Sequence, residues 1–506
     1  MHHLAELDHR HVWHPFTQMR DWLRREPLVI ISGKGAVLRD VNGREYLDAN
    51  SSIWTNLHGH NHPKINAAIQ RQLRKIAHSS ALGLASEPAS LLAERLVEVA
   101  NSKLVGRGVL TAPQGRFRAK RRAGDSAPCL RKVFFSDDGS TALEVALKLA
   151  YEFTRRNCGQ SVGRASSRAA QPEFLSLEGA YHGDTVGAVA LGHIDLFHRS
   201  CSGLLFKTDK VMSPYCYRCP FNRARPERAD AREYRKCGWE CVGQVERKFS
   251  ARKKRGNPYA AFVFEPLIQG AAGLIPQPAG WPKRAAEIAR SHGTLLIADE
   301  VMTGFGRTGI SNSEFRIPNS EFLLACHHED VQPDFLCLAK GMTGGYLPMA
   351  ATLTTQTVFD AFLGDYDELK TFFHGHSYTA NQLGAAAALA SLEILTSPAS
   401  IRARVKLEQA LRSELQSLWS LPNVGDIRQV GLVAGVELVK NWRTREPFDL
   451  RARAGIRVCE AMAKRGVLTR PVGNVIVLMP PYCTTPAQLE KIIAATRESI
   501  AATLGD

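Results

Sequence analysis

No run of the 506-residue chain approaches the roughly 18 consecutive apolar residues that a helical membrane span requires, so no membrane partner is expected. The first segment, Met1 to Arg25, is rich in His, Arg and Asp and lacks the apolar stretch of a secretory signal. Its eleven cysteines are odd in number and scattered, unlike the dense, even frameworks of small secreted domains. Disulfides are therefore not expected, and a reducing, cytoplasmic setting fits. No fixed-period repeat is present, which excludes a solenoid. The chain also lacks the charge excess of a disordered protein. Charged residues make up 23% and hydrophobic residues 44%, a globular balance.

Acidic residues are nearly missing from residues 101–132, where nine Lys and Arg face one acid. They are outnumbered thirteen to five in residues 213–256. Each stretch carries +8, and together they account for the whole net charge of +16. The rest of the chain is neutral, as in an enzyme that handles small molecules. Nucleic acid is thus not an expected partner, and the basic segments, centred on about 106–128 and 213–256, read as solvated surface insertions. Binding of RNA or DNA through them is a remote alternative.

The length suggests two to four domains on a prior of about 150 residues each. Residues 27–48 alternate apolar and polar around Gly33, Gly35 and the turn Asn42-Gly43, the pattern of an antiparallel meander. Leu91, Leu92, Leu96 and Val97 recur at helical spacing in residues 86–100. Periodicity then disappears through 106–128 and again through 159–172. Short apolar strands follow between helical stretches at 174–177, 261–264, 294–298, 335–338 and 349–352, which predicts an α/β fold with a mainly parallel sheet. Function belongs at the carboxyl ends of such strands. A helix near 401–418, a strand at 433–438, a helix near 452–465 and a strand at 475–479 predict a C-terminal α+β part. The expected division is 1–85, an N-terminal segment and meander of a small domain; 86–385, a large α/β domain; and 386–506, the C-terminal α+β part of the small domain.

Three features bear chemistry. The run from Arg131 to Ser140, followed by an amphipathic stretch, reads as strand, Gly-containing turn and helix N-terminus, where free N–H groups and the helix dipole attract an anion. Asp299 ends a buried strand, where a carboxylate is costly unless a cation or a protonated nitrogen faces it. Lys340 ends another and enters a Gly-rich turn, so its ammonium is partly desolvated and its amine is available for a Schiff base. Singly, a structural turn, a paired carboxylate and a snorkelling lysine explain them as well. Jointly they match the needs of pyridoxal phosphate (PLP): an anion site, a partner for the pyridine nitrogen and an imine-forming amine.

On these residues, and on His11 to Phe16, His58-Gly59-His60, Tyr181-His182-Gly183-Asp184, Glu265-Pro266, Phe373 to Ser377, Thr469-Arg470-Pro471 and Leu478 to Pro481, the whole chain outside the insertions resembles the class III (omega) aminotransferases. The resemblance implies fold-type I, with a large mainly parallel-sheet domain and a smaller α+β domain from both termini. It implies PLP as cofactor and no metal. It assigns Lys340 as the catalytic residue that carries the cofactor and shuttles the proton, and Asp299 as the partner of the pyridine nitrogen. Gly139, Ser140, His376 and Ser377 bind the cofactor, the partner subunit's Ser377 completing the phosphate site in a homodimer. Tyr181 stacks on the ring and touches substrate. Phe16, Ile53, Trp54 and Gly375 line the substrate site, Arg470 takes a carboxylate as a bidentate fork, and Glu265 and Arg307 are supporting polar groups. Within the family the likeness is to the branch that converts 8-amino-7-oxononanoate to 7,8-diaminononanoate in biotin biosynthesis, with another omega-aminotransferase acting on a diamine, 4-aminobutyrate or β-alanine as the alternative.

Two departures concern the amino donor. Members of that branch that use S-adenosylmethionine typically read His-Pro-Tyr and Ser-Ser-Trp-Trp where this chain has His14-Pro15-Phe16 and Ser51-Ser52-Ile53-Trp54. A lost hydroxyl and a lost indole can change discrimination strongly, and Thr371 to Thr379 looks like the lysine-using variants. S-adenosylmethionine and L-lysine therefore both stand as donors. Finally, Cys216-x2-Cys219 and Cys237-x3-Cys241 leave two readings open, a structural zinc site or a reduced thiol cluster. The alternating His58, His60 and His62 are assigned to packing and hydrogen bonding.

Overall fold

The computed structural model describes residues 1–101, 129–158, 172–221, 237–309 and 323–505. The expected loops at 106–128 and most of 159–172 lie outside the described residues, as does the middle of the second basic segment. After the helix His3–His11 and the short helix Met19–Trp22 comes the expected meander, β1 (Ile30–Lys34), β2 (Val37–Asp40) and β3 (Glu45–Asp48), paired antiparallel. Next come β4 (Leu130–Ser136), β5 (Glu173–Leu177), β6 (Asp209–Val211), β7 (Tyr259–Phe264), the short hairpin β8 (Ile268–Gln269) and β9 (Ile275–Pro276), β10 (Leu295–Asp299), β11 (Phe335–Leu338) and β12 (Ala350–Thr355). The C-terminal part supplies β13 (Val424–Val430), β14 (Val433–Asn441), β15 (Glu446–Pro447), β16 (Val467–Leu468), β17 (Pro471–Val472) and β18 (Val475–Leu478).

The central sheet has seven strands in the order β4-β12-β11-β10-β7-β5-β6. β6, β5, β7, β10 and β11 run parallel, whereas β12 is antiparallel to both its neighbours, β11 and β4. The strand expected at 349–352 is therefore the reversed member of a mainly parallel sheet. Both faces are covered, which is why β7 is buried at every position and reads as an unbroken apolar run. On one face Ala142, Leu143, Val145, Ala146 and Leu149 of the helix Gly139–Cys158 pack against Ile297, Phe335 and Val263. On the other, Phe249 and Trp281, from the helices Glu240–Lys254 and Trp281–Ser291, pack against Phe262, Phe264 and Leu296.

Two long C-terminal helices start where a side chain satisfies free N–H groups of the first turn. Ser397 and Thr485 cap the helices Pro398–Leu415 and Pro486–Leu504, each with Pro in the first turn, and Thr485 forms a capping box with Gln488. In the helix Glu87–Asn101, Ala89, Leu92, Leu96 and Val99 form one buried stripe. The two ends of the chain meet directly, because β16 pairs parallel with β3 and Met479 N–H donates to the Ala49 carbonyl at 2.8 Å.

A buried charged node joins the segment before Cys219 to the C-terminal sheet. Arg428 of β13 pairs with Glu437 of β14 and lies 3.6 Å from Asp426. Arg218 Nε donates to Glu437 at 2.9 Å, and the Tyr215 hydroxyl also bonds Glu437. Burial and the neighbouring Glu437 charge push Asp426 up to about 6 despite Arg428. Removing one member of such a node leaves uncompensated buried charge, so Arg428→Met is expected to lower unfolding free energy by about 3–5 kcal/mol, read by denaturant titration.

Candidate functional site

Parallel strands deliver their carboxyl ends to one edge of the sheet, and the residues that follow β4, β5, β7, β10 and β11 meet there. Register places Asp299 beside Cys337 and Ala298 beside Phe264. Asp299 ends β10, Glu265 follows β7, and Lys340 follows β11 by two residues.

Asp299 is buried, and its partner is His182, whose Nδ1 lies 2.8 Å from Oδ2; the Val301 N–H donates to Oδ1 at 3.0 Å. His182 Nε2 is buried with no hydrogen-bond partner among the described residues. Glu265 accepts from the Gly270 N–H at 2.7 Å and the Tyr181 N–H at 3.4 Å, and burial pushes its carboxyl up to about 7, a rise aided by Asp299 and opposed by His182. Burial also lowers the Lys340 ammonium below its ordinary value, while Asp299 and Glu265 pull the other way. Its Nζ stands 4.6 Å from the centre of the Trp54 ring. Lys340 has φ 42°, a left-handed conformation rare for a residue with a Cβ and typical of sites held by their surroundings.

Beyond β4, Asp138 caps the helix Gly139–Cys158 by accepting from Thr141 N–H at 2.9 Å, leaving Gly139 and Ser140 in its first turn. Only glycine fits at two of these positions. A Cβ on Gly139 would lie 2.6 Å from Val301 Cγ1, and one on Gly183 (φ 121°) would collide with Ser140. The Ser140 hydroxyl accepts the Asp184 N–H at 3.2 Å, drawing the 181–184 turn over the helix end. PLP can be tested against these features. A helix N-terminus with Ser140 suits its phosphate, the Asp299 carboxylate its ring nitrogen, and the Lys340 amine its aldehyde, while the buried Nε1 of Trp54, beside Lys340, has no hydrogen-bond partner among the described residues. The residues present fit the group.

The segment carrying Trp54 is strained. Ser51, Ser52, Ile53 and Trp54 all have φ between 47° and 69°, a left-handed turn that costs roughly 1–2 kcal/mol per L residue. It leaves Trp54 buried and Ile53 46% exposed.

The outer wall is aromatic. The Phe16 and Phe197 rings lie 5.2 Å apart and the Tyr181 and Phe197 rings 6.2 Å apart. Tyr181 OH donates to Asp184 at 2.6 Å, and burial with that carboxylate raises its pKa. Arg470 is exposed and donates to the Phe16 carbonyl at 3.4 Å, so its guanidinium keeps other donors free for an anion.

The expected residues do not all converge within one chain. Gly375, His376 and Ser377 lie on an exposed loop. His376 comes within 3.5 Å of Asp137 beside the phosphate turn, whereas Ser377 turns its carbonyl to His78, away from Gly139 and Ser140. Arg307 donates to the carbonyls of Pro480 (3.0 Å) and Asn56 (3.3 Å) and stacks on Tyr482, which makes it a buried tie between the two ends of the chain. Among the described residues no group of His, Cys, Asp or Glu is arranged to hold a metal ion. Cys216, Cys219, Cys237 and Cys241 are free thiols. Burial and their mutual repulsion push Cys216 up to about 12 and Cys241 up to about 11. His58, His60 and His62 all enter hydrogen bonds or ring contacts, as expected.

Sequence reasoning missed His182 and Phe197. A buried strand-end carboxylate signals that a donor is needed, but His182 follows β5, two strands away from β10, and only the sheet order brings it to Asp299. Phe197 carried no signal, because its position in the wall depends on how residues 195–198 fold back.

The seven-stranded sheet and the residues at its carboxyl edge define a fold-type I, PLP-dependent transferase. The aminotransferase class-III family matches residues 20–500, and the chain belongs to it. It is 42% identical to the adenosylmethionine-8-amino-7-oxononanoate aminotransferase of Geobacter sulfurreducens over 98% of this chain and 97% of that protein. The enzyme of the same name from Nitratidesulfovibrio vulgaris is 43% identical over 99% and 82%. Among solved structures, that from Methanocaldococcus jannaschii superposes with TM-score 0.82 at 36% identity, covering 99% of each chain. An amine transaminase from an uncultivated Pseudomonas species, in its PLP-bound form, gives 0.80 at 31% identity over 97% and 98%.

Removing the His182 donor strands the buried Asp299 carboxylate, a loss of about 1.5–3 kcal/mol. His182→Leu is therefore expected to weaken PLP retention about ten-fold or more, measured by absorbance titration of the cofactor-free chain.

Proposed function

We propose that this aminotransferase converts 8-amino-7-oxononanoate to 7,8-diaminononanoate in biotin biosynthesis, taking the amino group from S-adenosylmethionine or L-lysine. The observation that carries the reading is full-length similarity to relatives of that activity's name, at 36–43% identity in bacteria as distant as Geobacter sulfurreducens, Nitratidesulfovibrio vulgaris and Staphylococcus aureus. The site supports it. A long keto acid ends in a carboxylate, and Arg470 at the mouth offers a guanidinium to it. Phe16, Phe197, Ile53 and Trp54 provide apolar surface for the carbon chain.

Bound PLP supplies an electron sink for the carbanion formed when an amine loses its α-proton. Lys340 would hold the cofactor, and its Nζ is the base that would move that proton, for which a lowered pKa suits it. Asp299, oriented by His182, would keep the ring nitrogen protonated, Gly139 and Ser140 would hold the phosphate, and His376 would bind the cofactor beside them. Tyr181 would stack on the ring. The donor leaves its amino group with the enzyme, and the keto acid takes it up in a second half-reaction. Glu265 steadies the 181 and 270 backbone through its two carboxylate oxygens.

Residues 1–85 and 386–506 would together form the small domain, joined through β3 and β16. The assembly would be a homodimer. Leu82 and Phe373 are 91% and 76% exposed, and Leu84 and Tyr378 are exposed beside them, an apolar surface that a second copy would cover while the partner subunit's Ser377 completes the phosphate site. No single helix among the described residues is long and apolar enough to cross a membrane, and a cytoplasmic location fits a soluble cofactor and substrates.

Lys340→Ala is expected to abolish turnover while PLP is still retained through its phosphate; normal turnover by this variant would refute the assigned role. The donor is tested by mixing the PLP form separately with S-adenosylmethionine and with L-lysine and following the cofactor's absorbance. Conversion by either, with diamine formed when 8-amino-7-oxononanoate is added, supports the proposal. Conversion only by 4-aminobutyrate or a diamine would move the assignment to another omega-aminotransferase.

A further inference from the structure

The left-handed turn Ser51–Trp54 persists because hydrogen bonds over-determine it. The Gly59 N–H donates to Asn56 Oδ1 at 2.9 Å, which turns the Asn56 amide so that its Nδ2 donates to His60 Nδ1, also at 2.9 Å. With Nδ1 accepting, the proton of a neutral His60 sits on Nε2 and is donated to Asp48 Oδ2 at 3.0 Å. Asp48 is buried at the end of β3, and its remaining partners are backbone and hydroxyl groups at the turn. The Ser52 N–H donates to Oδ1 at 3.0 Å, the Ser52 hydroxyl to Oδ2 at 2.8 Å, and the Asn50 N–H to Oδ1 at 3.3 Å. The Asn56 N–H donates in turn to the Ser51 carbonyl at 2.9 Å, so the relay starts and finishes on one turn. On the opposite side the Ser51 hydroxyl is anchored to the Met479 carbonyl at 2.6 Å.

What the turn carries is the inner wall of the substrate site. Trp54 lies against Lys340, with its indole N–H buried and unpartnered among the described residues, and Ile53 stands half-exposed one residue earlier. Relaxation of the turn toward ordinary backbone would move both side chains together.

We propose that Asp48, Asn56 and His60 are positioning residues for donor selection, acting through Ser52 to hold Ile53 and Trp54 at fixed places against Lys340. The inference rests on the reading of these two side chains as substrate-facing. A side chain displaced from a substrate wall changes which substrate fits more than it changes the chemical step, so the expected signature is a shift of KM and of donor preference with little change in kcat.

The test compares the full-length chain with His60→Leu, His60→Gln and Asn56→Ala. One readout, needing no cofactor, is amide hydrogen exchange of the peptide spanning residues 50–56. The other is KM and kcat of the PLP-loaded enzyme with two amino donors of different shape, S-adenosylmethionine and L-lysine, or whichever two amines react if these do not. In that last case the proposed reaction fails while the positioning role is still decided. His60→Leu is expected to speed exchange about ten-fold and to shift the KM ratio of the two donors by a similar factor, as loss of a buried hydrogen bond to a charged group implies. His60→Gln, whose amide can still donate to Asp48, is expected to restore most of both. Unchanged exchange, or faster exchange with an unchanged donor ratio, would overturn the proposal. Should His60→Leu fail to melt cooperatively, Asn56→Ala, which leaves the Asp48–Ser52 bonds in place, decides by the same two readouts.

Discussion

A carboxylate at the inner end of a buried strand has to be compensated, and in this protein the compensation at Asp299 organises the site. His182 supplies the donor from the turn after β5, and Glu265, which follows β7, holds the backbone of that turn at Tyr181. Three adjacent strand ends are thereby locked to one another, and Lys340, two residues beyond the fourth, faces the resulting negative field. Burial that lowers the lysine's proton affinity and carboxylates that raise it act on the same nitrogen. Burial is the larger of the two effects, so the ammonium loses its proton more readily than an exposed lysine would.

The opposite wall comes from the two ends of the chain rather than from the sheet. β3 and β16 pair, Ser51 and Ala49 bond Met479, and Arg307 ties Asn56 to Pro480. This frame carries backbone that would not hold its shape alone. Phe16, Ser51 to Trp54 and Lys340 all adopt positive φ without being glycine. Such conformations need a rigid surround, and for Ser51 to Trp54 the joined chain ends supply it.

The basic stretches contribute differently from their charge. What is described of the second one is anchored by acids and aromatics. Arg218 meets Glu437, and Tyr215 reaches Glu437 and Arg428. The segment is thus a strap onto the C-terminal sheet, and it carries Cys216 and Cys219.

Local pattern was sufficient for the elements that bury a continuous face. β7, β10 and β11 were legible as apolar runs because both sides of a covered parallel sheet are dry. The meander was legible from its alternation, and the helices from their spacing. The chemistry at Asp299 and Lys340 could be read as well, since a charged residue closing an apolar strand is expensive wherever it occurs. The reversed direction of β12, the bond between His182 and Asp299, the place of Phe197 between Phe16 and Tyr181, and the engagement of Arg307 with carbonyls could not. Each depends on which distant segments are brought into contact, and sequence periodicity reports only which side of an element is buried, not what it is buried against.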